Sequence, residues 1–209
     1  MILQRRLSWL IAILIFPGVL TAQSDDLLTR ILAGVQQAQT KFTTECGTVT
    51  ETRTSKLIVK PMVFHGKFCA EGSNRFMLEY FEPNPTSIRL NDNYLNITTE
   101  GGKTEVLDIS NDVRRAQSSF SSENSIDDLK KNFTILAQED NRNFEMRLVP
   151  RSQRFRHRLN YLVVKLNKRD FLPRSLEVDG KSGVNSVFTF DITSINAKLP
   201  ENTFEVIKK

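Results

Sequence analysis

Few residues in this chain have a type and spacing suited to covalent or metal chemistry. The two histidines, His65 and His157, each stand alone in a strand-like stretch, with no cysteine or acid at ligand spacing. A zinc-type site needs several such ligands to converge, so the spacing argues against one. No nucleophile-elbow sequence frames a serine. The acids Glu79, Glu82 and Asp92 fall at strand-edge or turn positions. The chain therefore reads as a non-enzyme, with no metal and no cofactor.

The two cysteines, Cys46 and Cys69, leave two readings open. In an oxidising compartment an even pair suggests a disulfide. Strand parity, however, groups Cys46 with Phe42 and Cys69 with Lys67 and Glu71, which turns them to different sides unless a bulge intervenes. The alternative is two small, partly buried thiols. A basic stretch, Arg147, Arg151, Arg154, Arg156 and Arg158 with Lys165, Lys168 and Arg169, also has two readings. It suits anionic lipid headgroups or an acidic partner. As alternation on one strand face, it is equally a solvated surface that discourages edge pairing, and this is the simpler reading.

The dominant pattern is apolar. Residues 66–83 read G-K-F-C-A-E-G-S-N-R-F-M-L-E-Y-F-E-P, with apolar and polar residues alternating on both sides of Ser73-Asn74. That is expected of two half-buried strands joined by a turn. The chain has 14 Phe and a single Trp, and phenylalanine lines an apolar surface without bringing a polar handle. Parity along each strand assigns the lining. It takes Phe42, Phe68, Phe76, Leu78 and Tyr80 from the early strands, and Ile88 and Leu90 from the next. Phe144, Met146 and Leu148, then Leu162 and Val164, and finally Phe188 and Phe190 come from the later ones. Leu28, Ile31, Leu32 and Val35 join from a helix. For any one of these residues a solid core is the plainer reading.

The elements that must position this lining follow a leader. Arg5 and Arg6 precede an apolar run over residues 7–20, and small residues at 21–24 offer a cleavage site. This is the pattern of a secretory signal over residues 1–22, with residues 23–209 left as one soluble, exported domain. Of the 29 basic residues the leader holds two, leaving 27 against 24 acids, too even a balance to argue for nucleic acid. Asp25 and Asp26 precede apolar residues at helical spacing, which predicts a helix over residues 25–40. Strands are predicted over 42–53, 57–71, 75–82, 88–90, 94–99 and 103–109. Residues 110–124 read as a loop and 125–132 as a short helix capped by Ser125 with Asp128, together a movable lid or a plain connection. Further strands are predicted over 134–138, 144–150, 158–167, 173–178 and 186–195, with a short last piece around Phe204. Ten or eleven antiparallel strands of this kind curl, because large twisted sheets do not stay flat.

These stretches resemble the outer-membrane lipoprotein carrier family, LolA and its relatives. The likeness rests on Phe42-Thr43, residues 66–83, the segment Ile88-Arg89-Leu90-Asn91-Asp92-Asn93, residues 172–192 and the ending from Ile195 to Phe204. It implies an α+β fold: a curved, incompletely closed antiparallel β-barrel of about 11 strands, with a helical lid over an apolar cavity. It also implies a monomeric periplasmic carrier that takes the acyl chains of lipoproteins, or of related acylated lipids. Such a carrier receives its cargo from an inner-membrane releasing transporter and hands it to an outer-membrane acceptor, touching membrane surfaces transiently. Relatives on the same fold act instead as envelope sensors that bind a protein partner. The family's Arg-Pro pair after the second strand is replaced here by Gly72 and Ser73, with Arg75 nearby as a substitute. Where the family often carries Trp on the third strand, this chain has Leu78.

Overall fold

The computed structural model of the chain describes residues 19–57, 59–72, 74–108 and 125–208. The leader as far as Gly18 and the predicted loop at 110–124 lie outside the described residues, as do the side chains of the expected cap, Ser125 and Asp128. Helix α1 (Val19–Lys41) opens the described structure. Strands β1 (Thr44–Ser55), β2 (Met62–Glu71), β3 (Arg75–Glu82), β4 (Thr86–Asn91), β5 (Tyr94–Thr99) and β6 (Thr104–Asp108) follow. Then come α2 (Ser125–Asn132), β7 (Phe133–Glu139), β8 (Asn143–Pro150), the one-turn α3 (Gln153–Arg156), β9 (Leu159–Asn167), β10 (Pro173–Gly180) and β11 (Val184–Ile195). A 3-10 turn over Glu201–Phe204 ends the series.

All eleven strands belong to one antiparallel sheet, in the order β6-β5-β4-β3-β2-β1-β11-β10-β9-β8-β7. The sheet is open, with β6 and β7 at its edges, and this is the curved α+β architecture that the sequence implies. Two meanders meet at its centre, where the first strand pairs with the last from Glu45↔Ile195 to Ser55↔Val184. A shift in register between Cys46 and Gly47 lets β1 bend there. Gly47 is required at that point, since a Cβ would lie 2.0 Å from the Asp191 carbonyl oxygen. Asn196, in the left-handed region at φ 56, then locks the junction. Its Oδ1 accepts from the Thr43 N–H at 2.7 Å, its own N–H donates to the Thr44 carbonyl at 2.8 Å, and its Nδ2 donates to the Lys41 carbonyl at 3.2 Å.

The pair Cys46–Cys69 forms a disulfide. The two residues are direct Cα partners in the β1–β2 ladder. Parity with Phe42 misleads because Phe42 precedes β1, where the chain leaves α1 and strand alternation has not begun. Within β1 it is Gly47, Val49 and Glu51 that face inward, so Cys46 and Cys69 share the outer face.

Other expectations change in detail. The helix is already formed at Val19, the first described residue, so Asp25 and Asp26 are not in its first turn. Leu57 and residues 59–61 belong to the β1–β2 turn and not to β2, because they lie beyond Arg53↔Met62, the last pair of the β1–β2 ladder. Residues 153–156 are helical, so Arg154, Arg156 and Arg158 do not line one strand face. The piece around Phe204 is a 3-10 turn that packs on β3 and β4, not a strand. Arg75 bonds Glu71 at 3.1 Å beside the C-terminal segment, away from α1.

Helix α1 lies on the inner face of β7–β9. Leu28 and Ile31, the latter fully buried, pack with Leu129, Phe144, Met146, Leu148 and Leu166. The helix is held at its rim by ion pairs. Arg30 reaches Glu139 at 2.7 Å, Lys168 reaches the same carboxylate at 2.5 Å, and Lys130 reaches Asp25 at 3.0 Å. Lys168 first and Arg30 second hold the Glu139 carboxyl below the usual carboxylate range. Phe171, itself at φ 59, stacks on Phe144 with ring centres 5.4 Å apart and presses against α1 at Gly34. A Cβ at Gly34 would stand 2.1 Å from the Phe171 ring.

Gly34→Ala should therefore destabilise the fold by about 1–3 kcal/mol through overpacking, although alanine is the better helix former by about 1 kcal/mol. In a Phe171→Ala background the same substitution should be neutral or stabilising. Urea unfolding of the four proteins checks this, and a Gly34→Ala variant more stable than the parent would refute the wedge.

Candidate functional site

The inner face of the sheet carries two separate apolar clusters. The first, under α1, holds Leu28, Ile31, Phe144, Met146 and Leu148 buried, with Leu32, Val35, Leu162 and Val164 packed at its margin. The second lies across β1–β4 and β11. Its buried members are Val49, Phe64, Phe68, Leu78 and Tyr80, and Phe76, Ile88, Phe188, Phe190 and Ile192 are partly buried around them. Phe68 meets Phe190 edge-on at 5.2 Å, and Phe188 stacks on Phe190 at 6.5 Å, the geometries aromatic rings prefer. The sequence-derived lining thus divides in two. Leu90 faces the same side from β4, opposite Phe76, without belonging to either cluster.

Alternation explains why these residues converge. Phe68, Phe76, Leu78, Tyr80, Ile88 and Leu90 sit at register positions opposite one another across β2–β4, so one face collects them all. Val49, Phe64 and Ile192, which the parity reading omitted, follow the same rule on strands whose polar residues masked it.

Sequence reading also missed the acid inside this apolar face. Glu51 is 1% exposed and stands between Phe64 and Phe188 in the ladder. It is satisfied by its neighbours: the Tyr80 hydroxyl donates to Oε2 at 2.5 Å, Arg53 Nε donates to Oε1 at 3.0 Å, and Arg53 Nη2 to Oε2 at 2.9 Å. The Arg53 guanidinium also lies over the Phe64 ring, 4.5 Å from its centre, a favourable cation–π placement. Burial, and then the hydrogen bond to Glu51, push the Tyr80 phenol well above its ordinary range, so it remains a donor. Its phase with Gly47 and Val49 puts it on the inner face, but nothing in the local sequence marks it as buried.

A cleft of about 400 Å³ opens at the opposite end of the inner face. Val35, Ala38 and Phe42 line it from the helix side, Ala70 from β2, and Phe171 and Leu172 from the β9–β10 turn. Phe42, one of the expected lining residues, is found here and not in either cluster. Glu45 also faces the cleft. Burial, reinforced by the charge of Asp170, raises its carboxyl above the usual range.

The remaining polar groups are dispersed. His65 touches the Thr50 hydroxyl at 3.3 Å, and His157 is exposed beyond α3. Among the described residues, no three His, Cys, Asp or Glu side chains come together as a metal site. The outer face of β8–β10 carries a solvated ladder: Arg147 over Tyr161, Tyr161 to Glu177, and Lys165 to Glu145. The C-terminal segment crosses the outer face at β1–β5. Thr44 Oγ1 donates to the Ala197 carbonyl, Asn91 Nδ2 to the Phe204 carbonyl, and the Asn96 amide pairs with the backbone of Ile207.

Two outcomes follow from the acids. Glu51→Leu should cost about 1–3 kcal/mol, chiefly for the Tyr80 hydroxyl left unpaired, since Arg53 is partly solvated, whereas Tyr80→Phe should cost about 1 kcal/mol. Equal urea stability of Glu51→Leu and the parent would show that the network is dispensable. For Glu45 the raised folded value means that the ionised form costs stability and protonation relieves it. Glu45→Gln should therefore melt higher than the parent at about pH 8, by no more than about 1 kcal/mol for a partly solvated group. The advantage should close toward about pH 4 as the parent takes up its proton; an advantage that grows on acidification would reverse the assignment.

No family model matches the chain by sequence, nor does a curated protein. Solved structures match it by shape. An uncharacterised conserved protein from Thermus thermophilus aligns over 87% of this chain and 94% of its own, at 12% identity and a TM-score of 0.54. A LolA superfamily protein from Nitrosomonas europaea aligns over 85% and 97%, at 11% identity and a TM-score of 0.43. The MucA/MucB complex from Pseudomonas aeruginosa aligns over 88% of this chain and 61% of that one, at 13% identity and a TM-score of 0.46. At such identities the likeness is one of fold, and it is the Thermus protein that shows this open, curved sheet with its few helices to be a shared architecture.

Proposed function

We propose that the protein is a non-enzymatic carrier, exported to the periplasm, which binds the acyl chains of lipoproteins or related acylated lipids on the apolar inner face of its sheet. The observation that carries this reading is the second cluster. Ten apolar and aromatic residues gather across β1–β4 and β11, whereas the described helices α1 and α2 make their main contacts with β7. An apolar surface of this breadth, set beside a helix that covers only the neighbouring part, suits a ligand that is itself apolar and flexible.

The energetics fit a carrier that must also release. Burying an acyl chain of about 15 methylenes gains roughly 12 kcal/mol at most. A site that buried several chains completely would not let them go. The buried Glu51 group and the partly buried rims of Phe76, Phe188 and Phe190 make this face imperfectly apolar, which limits retention. In this reading α1 is the lid, held by the Asp25, Arg30 and Glu139 ion pairs. Such exposed pairs are worth little each, so what holds the lid shut is mainly the burial of Leu28 and Ile31, contacts that an acyl chain can replace. Cleavage of the leader after residue 22 would also leave Asp25 and Asp26 in the first turn of α1, where acids favour the helix dipole.

Native mass spectrometry of the protein purified from its own envelope without detergent, followed by lipid extraction, tests the proposal. Bound acylated lipid or lipoprotein is expected. Phe76→Glu, at the margin of the second cluster, should abolish lipid recovery while export and thermal stability persist, and Leu32→Glu should do the same from the helix side. Unchanged lipid in both variants would overturn the lining assignment. Recovery of a stable protein partner in place of lipid would overturn the carrier in favour of a sensor or adaptor.

A further inference from the structure

The antiparallel order puts the β1–β2, β3–β4, β5–β6, β8–β9 and β10–β11 turns along one rim of the sheet. The β1–β2 turn carries Lys56, Leu57, Val59 and Lys60, and Leu57 and Val59 are 92% and 99% exposed. Met62 and Val63 are exposed where β2 leaves it, and Phe81 near the end of the neighbouring β3. Of the nine large apolar side chains exposed among the described residues, five therefore lie at this one corner. Singly exposed apolar residues are ordinary, but a cluster of them marks an interaction site.

The β1–β2 turn is flanked by cations, and the exposed charge on the β8–β11 side of the rim is basic. Lys56, Lys60, Arg151, Arg156, Arg158 and Lys181 are exposed along the same rim. The acids there are Glu82, Glu100 and Glu105, on the β3–β6 side. No acid pairs with Lys56, Lys60, Arg158 or Lys181 among the described residues.

We infer that this rim docks on an anionic phospholipid surface, with the tip of the β1–β2 turn entering the headgroup layer and the basic collar resting on it. An apolar tip that projects almost completely into solvent offers no groove and no shape to a folded partner. It does offer side chains that can be withdrawn from water into the acyl boundary. Two flanking lysines can lay their stems along the inserted tip and keep their ammonium groups at the headgroups. The arginines of the β8–β9 turn, read from sequence as a plain solvated face, then face the negative surface, where each cation strengthens binding about fivefold. The inference concerns a surface separate from the apolar inner face and stands whatever that face binds.

The test is flotation of the protein, purified from the envelope with its processed form confirmed by intact mass, on vesicles of phosphatidylglycerol and phosphatidylethanolamine and on neutral phosphatidylcholine vesicles. Binding to the anionic vesicles is expected, weakening with added salt and at least about tenfold stronger than to the neutral ones. A Leu57→Asp/Val59→Asp double variant, and separately Lys56→Glu/Lys60→Glu, should each lose at least about tenfold. Leu136→Asp, on the β7 edge, should bind as the parent does. All these sites are exposed, and melting curves confirm that the variants fold. No binding by the parent, equal binding to both vesicle types, or parental binding by either double variant overturns the inference. So does capture of an acidic protein by a parent that ignores the vesicles. Lipid recovered with the same variants separates the two proposals: retained lipid with lost flotation supports the rim, and flotation without any bound lipid counts against the carrier alone.

Discussion

The structure depends on one non-local pairing. β1 and β11, separated by more than a hundred residues, form the centre of the sheet and are the ladder that joins the two meanders. Every other neighbouring pair in the sheet is also consecutive in sequence. Closing the β1–β11 ladder costs loop entropy that the local hairpins do not, and the sequence reinforces it accordingly. Gly47 permits the close approach to Asp191, and Asn196 ties the end of β11 to the α1–β1 junction. Without this seam, the first cluster under α1 and the second cluster across β1–β4 would belong to separate, half-exposed sheets.

The seam also explains why the inner face is not uniformly apolar. β1 supplies Val49 to the second cluster and, two residues later, Glu51. A buried carboxylate is tolerable only when its lone pairs are used, and here Arg53 and Tyr80 use them. The cost is a fixed polar group within a surface otherwise built for dispersion contacts. The benefit is register. A one-residue slip of β1 would bring Thr50 or Thr52 inward and strand the Tyr80 hydroxyl, so the network selects the correct pairing among slipped ones.

Much of the fold was legible because buried and exposed positions alternate along most of β2 and β8 and, Met77 apart, along β3. Phe68, Phe76, Leu78, Tyr80, Phe144, Met146 and Leu148 could be placed on the inner face from parity alone. What misled was parity carried across a boundary. Phe42 lies between a helix and a strand, so it gave no guide to Cys46. Leu57 and Val59 look like strand residues, and only the pairing register shows that β2 starts at Met62. Glu51 was illegible because nothing local marks an acid as buried; its partners are Arg53, two residues on, and Tyr80, on a strand that is not its immediate neighbour. The C-terminal crossing was illegible for a similar reason, since Thr44, Asn91 and Asn96 make their contacts with the backbone of a distant segment.

The open edges have a mechanical consequence. In a closed barrel, strand number and stagger fix the radius. Here β6 and β7 are not paired with each other, so the sheet can flatten or tighten by small changes in twist spread over ten ladders, without breaking a backbone hydrogen bond. Its curvature is then not set by strand number, and a bend in the inner face can spread along the whole sheet. For the proposed carrier, that compliance would let one chain fit cargo of different thickness, which a sealed cylinder of the same strands could not.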